Sequence, residues 1–204
     1  MKRTEGLLFV VSAPSGAGKT SLCRALTVKL ENLRHSISYT TRNPRPGEID
    51  GRDYYFVTPD RFRQMVQAGD FAEWAEVHSH LYGTSRRVLD GMRAEGIDVI
   101  LDIDTQGAKQ IRDKYEGRAV FVFIMPPSLE ILEERLRNRR SDHEDEIRKR
   151  MRRAKDEMRD YTLYDYVIVN RDFDRALLEI RSVITAERCR TQLIDPAWMQ
   201  GLLS

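Results

Sequence analysis

A chain of 204 residues with 41% hydrophobic content can bury one sizeable core without disulfides or a structural metal, and is too short for two independent catalytic domains. Thirty-four Lys plus Arg against 32 Asp plus Glu leave a net charge of +2, so the balance does not mark a nucleic-acid binder. Cys23 and Cys189 form no CxxC and suit a reducing, cytoplasmic setting. The longest apolar runs fall far short of the roughly 20 residues of a membrane span. Met1 to Gly6 lacks the shape of a signal peptide.

In chain order, Leu7–Val11 reads as a buried strand and about 19–30 as the helix after it. From His35 to Gly83 long apolar runs give way to aromatic and polar residues, with a turn-rich stretch at 42–47. Short alternating pieces (Ser36–Thr40, Tyr54–Val57, Glu73–Val77) predict a small inserted sheet, and Thr58-Pro59 predicts a helix start. Strands over Val99–Leu101, Val120–Ile124 and Tyr166–Val169 then alternate with helices at about 105–115, 128–139 and 173–192. The last helix carries Leu177, Leu178, Ile180, Val183 and Ile184 on one stripe. The strands are apolar on both alternating faces, the mark of a parallel sheet covered by helices on both sides. Arg135 to Arg153 is strongly basic and nearly free of bulky apolar residues.

Ser12-Ala13-Pro14-Ser15-Gly16-Ala17-Gly18-Lys19-Thr20, between the first strand and first helix, is the most specific local signal. It follows the phosphate-loop pattern GxxxxGK[ST] with Ala13 at the first glycine. Glycines turn backbone N–H groups into one concavity at a helix N-terminus, Lys19 reaches the outer phosphates, and Thr20 offers its hydroxyl to Mg²⁺. Asp102 and Asp104 end a buried strand, where open α/β sheets place ligands. Asp102 suits the magnesium water shell; Asp104 reads equally as a ligand-facing acid or a helix cap. Asp104-Thr105-Gln106-Gly107 also matches the DxxG of GTPases, but no lysine follows an asparagine as their NKxD requires.

SAPSGAGKTS at 12–21, SYTTRNPRPGE at 38–48, GRDYYFV at 51–57, FAEWAEV at 71–77, YGTS at 82–85, LDIDTQGA at 101–108 and IVN at 168–170 together resemble guanylate kinase. The resemblance spans about residues 6–190. It implies a P-loop NTPase-type three-layer α/β core with a parallel sheet (5–34, 85–127 and 160–190), a small inserted α+β GMP-binding region (35–84), a helical lid (128–159) and a tail (191–204). The implied reaction is phosphoryl transfer from ATP to GMP, and to dGMP, with Mg²⁺.

Arg42 and Arg45, three apart in a turn, can aim two guanidinium forks at one phosphate. The resemblance gives the GMP phosphate to these two with Tyr54 and Tyr82. Guanine presents N1–H and N2–H₂ on one edge, and one carboxylate can accept both; Glu73 matches that role, with Ser38 and Thr84 at other base atoms and Asp102 and Asp104 further GMP-side candidates. The resemblance points to Arg135, Arg139 and Arg150 as lid cations for the spreading γ-phosphoryl charge, alongside Lys19 and Arg42. Asn138-Arg139-Arg140 stands where most relatives have Gly-Arg-Gly. Arg137, Arg152 and Arg153 read as a solvated, salt-bridged face. Asn170 matches a residue near the ATP adenine.

Two other readings stand beside this one. One is a kinase of another nucleoside monophosphate, which acceptor preference distinguishes. The other is a non-catalytic guanylate-kinase-like binding module, against which the intact Gly16, Gly18, Lys19 and Thr20 speak. The expected partners are ATP and GMP, with neither nucleic acid nor membrane; the sequence leaves a homo-oligomer open.

Overall fold

The computed structural model describes residues 5–77, 79–138 and 144–203. Its main sheet is fully parallel, with β1 (Leu8–Ser12) central and buried at every position. The other strands are β2 (Leu33–His35), β7 (Asp98–Asp102), β8 (Ala119–Met125) and β9 (Tyr166–Val169), in the order β2-β7-β1-β8-β9. Successive β1 side chains go to opposite faces. Phe9 and Val11 join Leu22 and Leu26 of α1 (Lys19–Lys29) and Ile180 and Ile184 of α7 (Phe173–Arg188). Leu8 and Val10 join Leu89 of α3 (Arg86–Ala94) and Ile111 of α4 (Thr105–Lys114). Three layers result. Asp98, fully buried, accepts from the Leu7 N–H at 2.8 Å and from Arg188 Nε at 2.7 Å, tying the start of β1 to the end of α7.

A second sheet holds β3 (Tyr39–Thr40), β4 (Tyr55–Phe56), β5 (Phe71–Val77) and β6 (His80–Ser85), ordered β4-β3-β6-β5. Only its β3–β4 pair is parallel. The helix α2 (Pro59–Gln67) starts where the sequence indicates: Thr58 accepts from the Arg61 N–H, and Pro59 fills the first turn. Phe62 stacks on Phe71 with centroids 4.5 Å apart, giving this sheet its own small core. The edge of β5 is tied to α4, because Gln110 exchanges two hydrogen bonds with the Trp74 backbone and Lys114 donates to the Ala72 carbonyl. The helices α5 (Leu129–Asn138) and α6 (Glu144–Arg159) pack together through Leu132, Leu136, Ile147 and Ala154.

Several expectations change. Two strands, β2 and β6, and the helix α3 join the elements read from sequence, and α7 ends at Arg188 rather than 192. The predicted Ser36–Thr40 strand shrinks to Tyr39–Thr40. In β9, Val167 and Val169 are exposed, because it is an edge strand covered on one face only. Leu178 is 60% exposed, since it lies one 100° step off the arc through Leu177, Ile180 and Ile184. The 3₁₀ turn at 191–193 leads into α8 (Pro196–Leu203), which leaves Trp198, Leu202 and Leu203 exposed. Among the described residues no helix is long and apolar enough to cross a membrane.

Candidate active site

The loop after β1 turns into α1 through Gly16 and Gly18, at φ 96° and 94°, which L side chains rarely adopt. At Gly18 a Cβ would also lie 2.5 Å from Asn170 Nδ2. That amide donates to the Ala17 carbonyl at 2.7 Å, so Asn170, at the end of β9, braces the loop from behind. Arg135 Nη2 in turn donates to the Asn170 carbonyl at 3.0 Å. Ala13 is buried and lines the cavity with its backbone neighbours.

Lys19 Nζ lies 2.7 Å from Asp102 Oδ1 and donates to the Ile103 carbonyl at 2.7 Å. Burial works against the charge on both partners, yet their mutual attraction prevails. The lysine is raised, and the Asp102 carboxyl is lowered with help from the Thr20 hydroxyl. Asp104 is a helix cap after all, accepting from the Gly107 N–H at 2.9 Å, and it also faces the cavity.

Glu73 projects from β5 and is 3% exposed. Burial lifts its carboxyl to about 7, with the Asp104 charge adding and the Thr84 hydroxyl, which donates to Oε1 at 2.6 Å, opposing. Thr84 itself is fully buried behind it on β6. In the turn after β3, Arg42 meets Glu48 in a fork, Nη1–Oε2 3.0 Å and Nη2–Oε1 2.9 Å. Glu48 also accepts from the Arg45 N–H at 2.7 Å, so one carboxylate holds the Arg42 side chain and the Arg45 backbone. The Arg42 guanidinium lies over the Tyr54 ring, 5.3 Å from its centroid, and Tyr54 meets Tyr82 edge-on at 6.0 Å.

These side chains meet around one cavity of about 810 Å³. Pro14, Ser15, Gly16, Gly18, Lys19 and Thr20 line one end; Ser38, Arg42, Arg45, Tyr54, Glu73 and Tyr82 line the other. Asp102 and Asp104 lie between them, and α6 brings Arg150 to the rim. Ala17, Thr84, Asn170 and Arg135 stand behind this lining rather than in it. Arg139 lies outside the described residues. A strand-to-helix phosphate loop thus faces a buried carboxylate across a cleft edged with arginines.

The family model described as guanylate kinase matches residues 5–187. The chain belongs to the guanylate kinase family. It is 56% identical over 191 residues to a guanylate kinase of Geobacter metallireducens, covering 94% of this chain and 93% of that one. It is 50% identical over 197 residues to one from Alkalilimnicola ehrlichii, covering 97% of each. The crystal structure of guanylate kinase from Anaplasma phagocytophilum superposes with a TM-score of 0.78 at 35% identity, over 95% of this chain and 92% of that chain. A shikimate kinase structure from Bacteroides thetaiotaomicron, at 15% identity and TM-score 0.50 over 88% of this chain and 98% of that one, shares the fold alone.

Within this guanylate kinase fold the cavity adds residues that the sequence reading passed over. Glu48 stands at a fixed offset from Arg42 in a Pro/Gly turn, a spacing that suggests a local ion pair. Arg153, read as part of a solvated face, is salt-bridged but lines the cavity with Glu157. Gly107, given no role of its own within the 101–108 motif, backs onto Glu73.

Proposed function

We infer that the chain transfers the γ-phosphoryl group of ATP to GMP, giving ADP and GDP, with dGMP as a further acceptor. The observation that carries this reading is the placement of a buried carboxylate, Glu73, at the far end of a cleft that begins at a phosphate loop. In this reading the backbone N–H groups of residues 13–20 cradle the ATP phosphates, with the α1 N-terminus adding its partial positive charge. Lys19 leaves Asp102 for the outer phosphates. Arg42, Arg45, Tyr54 and Tyr82 hold the GMP phosphate. Glu73 accepts from guanine N1–H and N2–H₂, while Thr84 holds its carboxylate in place and Ser38 and Asp104 border the base. Arg135, Arg139 and Arg150 supply charge to the phosphoryl group in flight.

Thr20 and Asp102 fit a hard divalent cation, since a hydroxyl and a depressed carboxyl stand together at the loop. They would hold Mg²⁺, Asp102 through water, and the ion would screen phosphate charge during transfer. No side chain is needed as general base, because an ionised GMP phosphate is itself the nucleophile.

The reading divides the molecule into a core (5–34, 85–127, 160–190), an acceptor insert (35–84) and a lid (128–159) that close on both substrates and exclude water. Free cysteines at 23 and 189 support a cytoplasmic setting. The test is ADP release from ATP and Mg²⁺ with GMP, AMP, CMP and UMP each offered as acceptor. Turnover confined to GMP (and dGMP) is expected. Preference for another monophosphate would remove Glu73 from its role, and silence with all four would leave a binding module.

A further inference from the structure

On α6, Arg150, Arg153 and Glu157 fall at helical spacing and all reach the cavity. Arg153 Nε lies 2.9 Å from Glu157 Oε1, and its Nη2 crosses to Asp104 Oδ2 at 3.5 Å. Asp104 caps α4 and neighbours Glu73, so this contact joins the helix carrying Arg150 to the side of the cleft that meets the acceptor base. The preceding residue, Arg152, is exposed and lies instead beside Glu133 and Ile147. Position along the helix, rather than general basicity, therefore selects Arg153.

The local charges suit this arrangement. Glu73, Asp104 and Glu157 bring three carboxyl groups to one cleft. Lys19 is already engaged by Asp102 and the Ile103 carbonyl. Burial, with the Asp104 charge adding, holds the Glu157 carboxyl above its ordinary value, and Arg153 offsets only part of that rise. Arg153 is only partly exposed, so its pairs are screened less than those of a surface arginine.

We propose that Arg153 is a positioning residue: seated on Asp104, it fixes the depth and rotation of α6 and so aims Arg150, one turn earlier on the same face, at the transferring phosphoryl group. The inference rests on the ATP:GMP reading of the site. Because Asp104 borders the acceptor, the same contact couples occupancy of the base end to the placement of Arg150 at the phosphate end.

The test is a set of initial-rate measurements with ATP, Mg²⁺ and varied GMP on the wild type, Arg152→Met, Arg153→Met, Arg153→Lys, Asp104→Asn and the Arg153→Met/Asp104→Asn pair. Arg153→Met is expected to lower kcat roughly 10- to 100-fold, the upper end being the scale of a catalytic group misplaced by about 1 Å, with the KM for ATP within about twofold. Arg153→Lys should recover part of that loss, and Arg152→Met should match the wild type. The double variant should lose less than the product of the single losses, as coupled partners do. Arg153→Met within about twofold of the wild type, or losses that multiply fully, would overturn the proposal. A wild type inactive with GMP would instead defeat the underlying reading.

Discussion

Gly107 lies so close to Glu73 that a Cβ added to it would stand 2.4 Å from the carboxylate Oε2. The glycine belongs to α4 and has an ordinary helical backbone, so its missing side chain serves the neighbouring strand rather than its own turn. Gly107→Ala should therefore separate function from stability. Alanine favours the helix by up to about 1 kcal/mol, which offsets part of the crowding. Displacing Glu73 from Thr84 should raise the KM for GMP about 10-fold and leave the KM for ATP unchanged. Steady-state kinetics with a thermal melt checks both halves; unchanged GMP affinity would show that Glu73 does not read the base.

Glu73 also sets a pH dependence. Its carboxyl titrates near 7 in the folded protein against 4.5 for an ordinary glutamate. The stability it contributes is full below about 4.5 and is lost as pH rises through 7, on the order of 3 kcal/mol in all. Wild type minus Glu73→Gln stability, by urea melts, should fall between pH 5 and pH 8. If Glu73 reads the base as proposed, binding runs the other way, because guanine donors need the ionised form. GMP affinity should weaken below pH 7, and calorimetry near pH 6.5 should detect proton release on GMP binding in buffers of different ionisation enthalpy.

At the phosphate loop, Lys19→Met should reduce turnover by a factor of about 10³. It also strands the Asp102 carboxylate in a buried place, which costs about 3 kcal/mol when a buried pair loses one partner. Lys19→Met/Asp102→Asn should then be more stable than Lys19→Met although equally inactive. A double variant no more stable than the single one would mean that Asp102 is hydrated without its lysine.

Asn170→Ala removes the 2.7 Å brace on the Ala17 carbonyl while leaving the backbone acceptor of Arg135 in place. Stability should drop by about 1–2 kcal/mol. The KM for ATP should rise severalfold with the KM for GMP unaffected, since the brace touches only one end of the cleft. Equal effects on both substrates would make Asn170 a general structural residue.

How far the sequence could be read depended on how local each feature is. Residues 12–20 were legible because strand, loop and helix start are contiguous and each needs its own residue type. The Thr58-Pro59 start was legible for the same reason. The strand β2 gives no strand signal because Leu33-Arg34-His35 holds one apolar residue, and β6 gives none because its pattern mixes His80, Leu81, Tyr82 and Gly83. The Glu73–Thr84 contact exists only through pairing of β5 with β6, so no spacing within the chain announced it; resemblance alone brought the two together. Arg153 is salt-bridged as its sequence suggests, but a helix with charges on every side does not reveal which face meets the core. That choice follows from the packing of α5 against α6.

The face of α1 that carries Leu22 and Leu26 is completed by Ile180 and Ile184, residues made more than 150 positions later. The buried Asp98 likewise waits for Arg188. During synthesis the nucleotide-binding half therefore leaves the ribosome with an apolar face still open, and only the arrival of α7 closes it. Folding of the main sheet is thus tied to the synthesis of residues 173–188, with long-range contacts formed late. A message truncated before residue 176 would yield a chain with a complete phosphate-loop sequence and no means of burying the helix behind it.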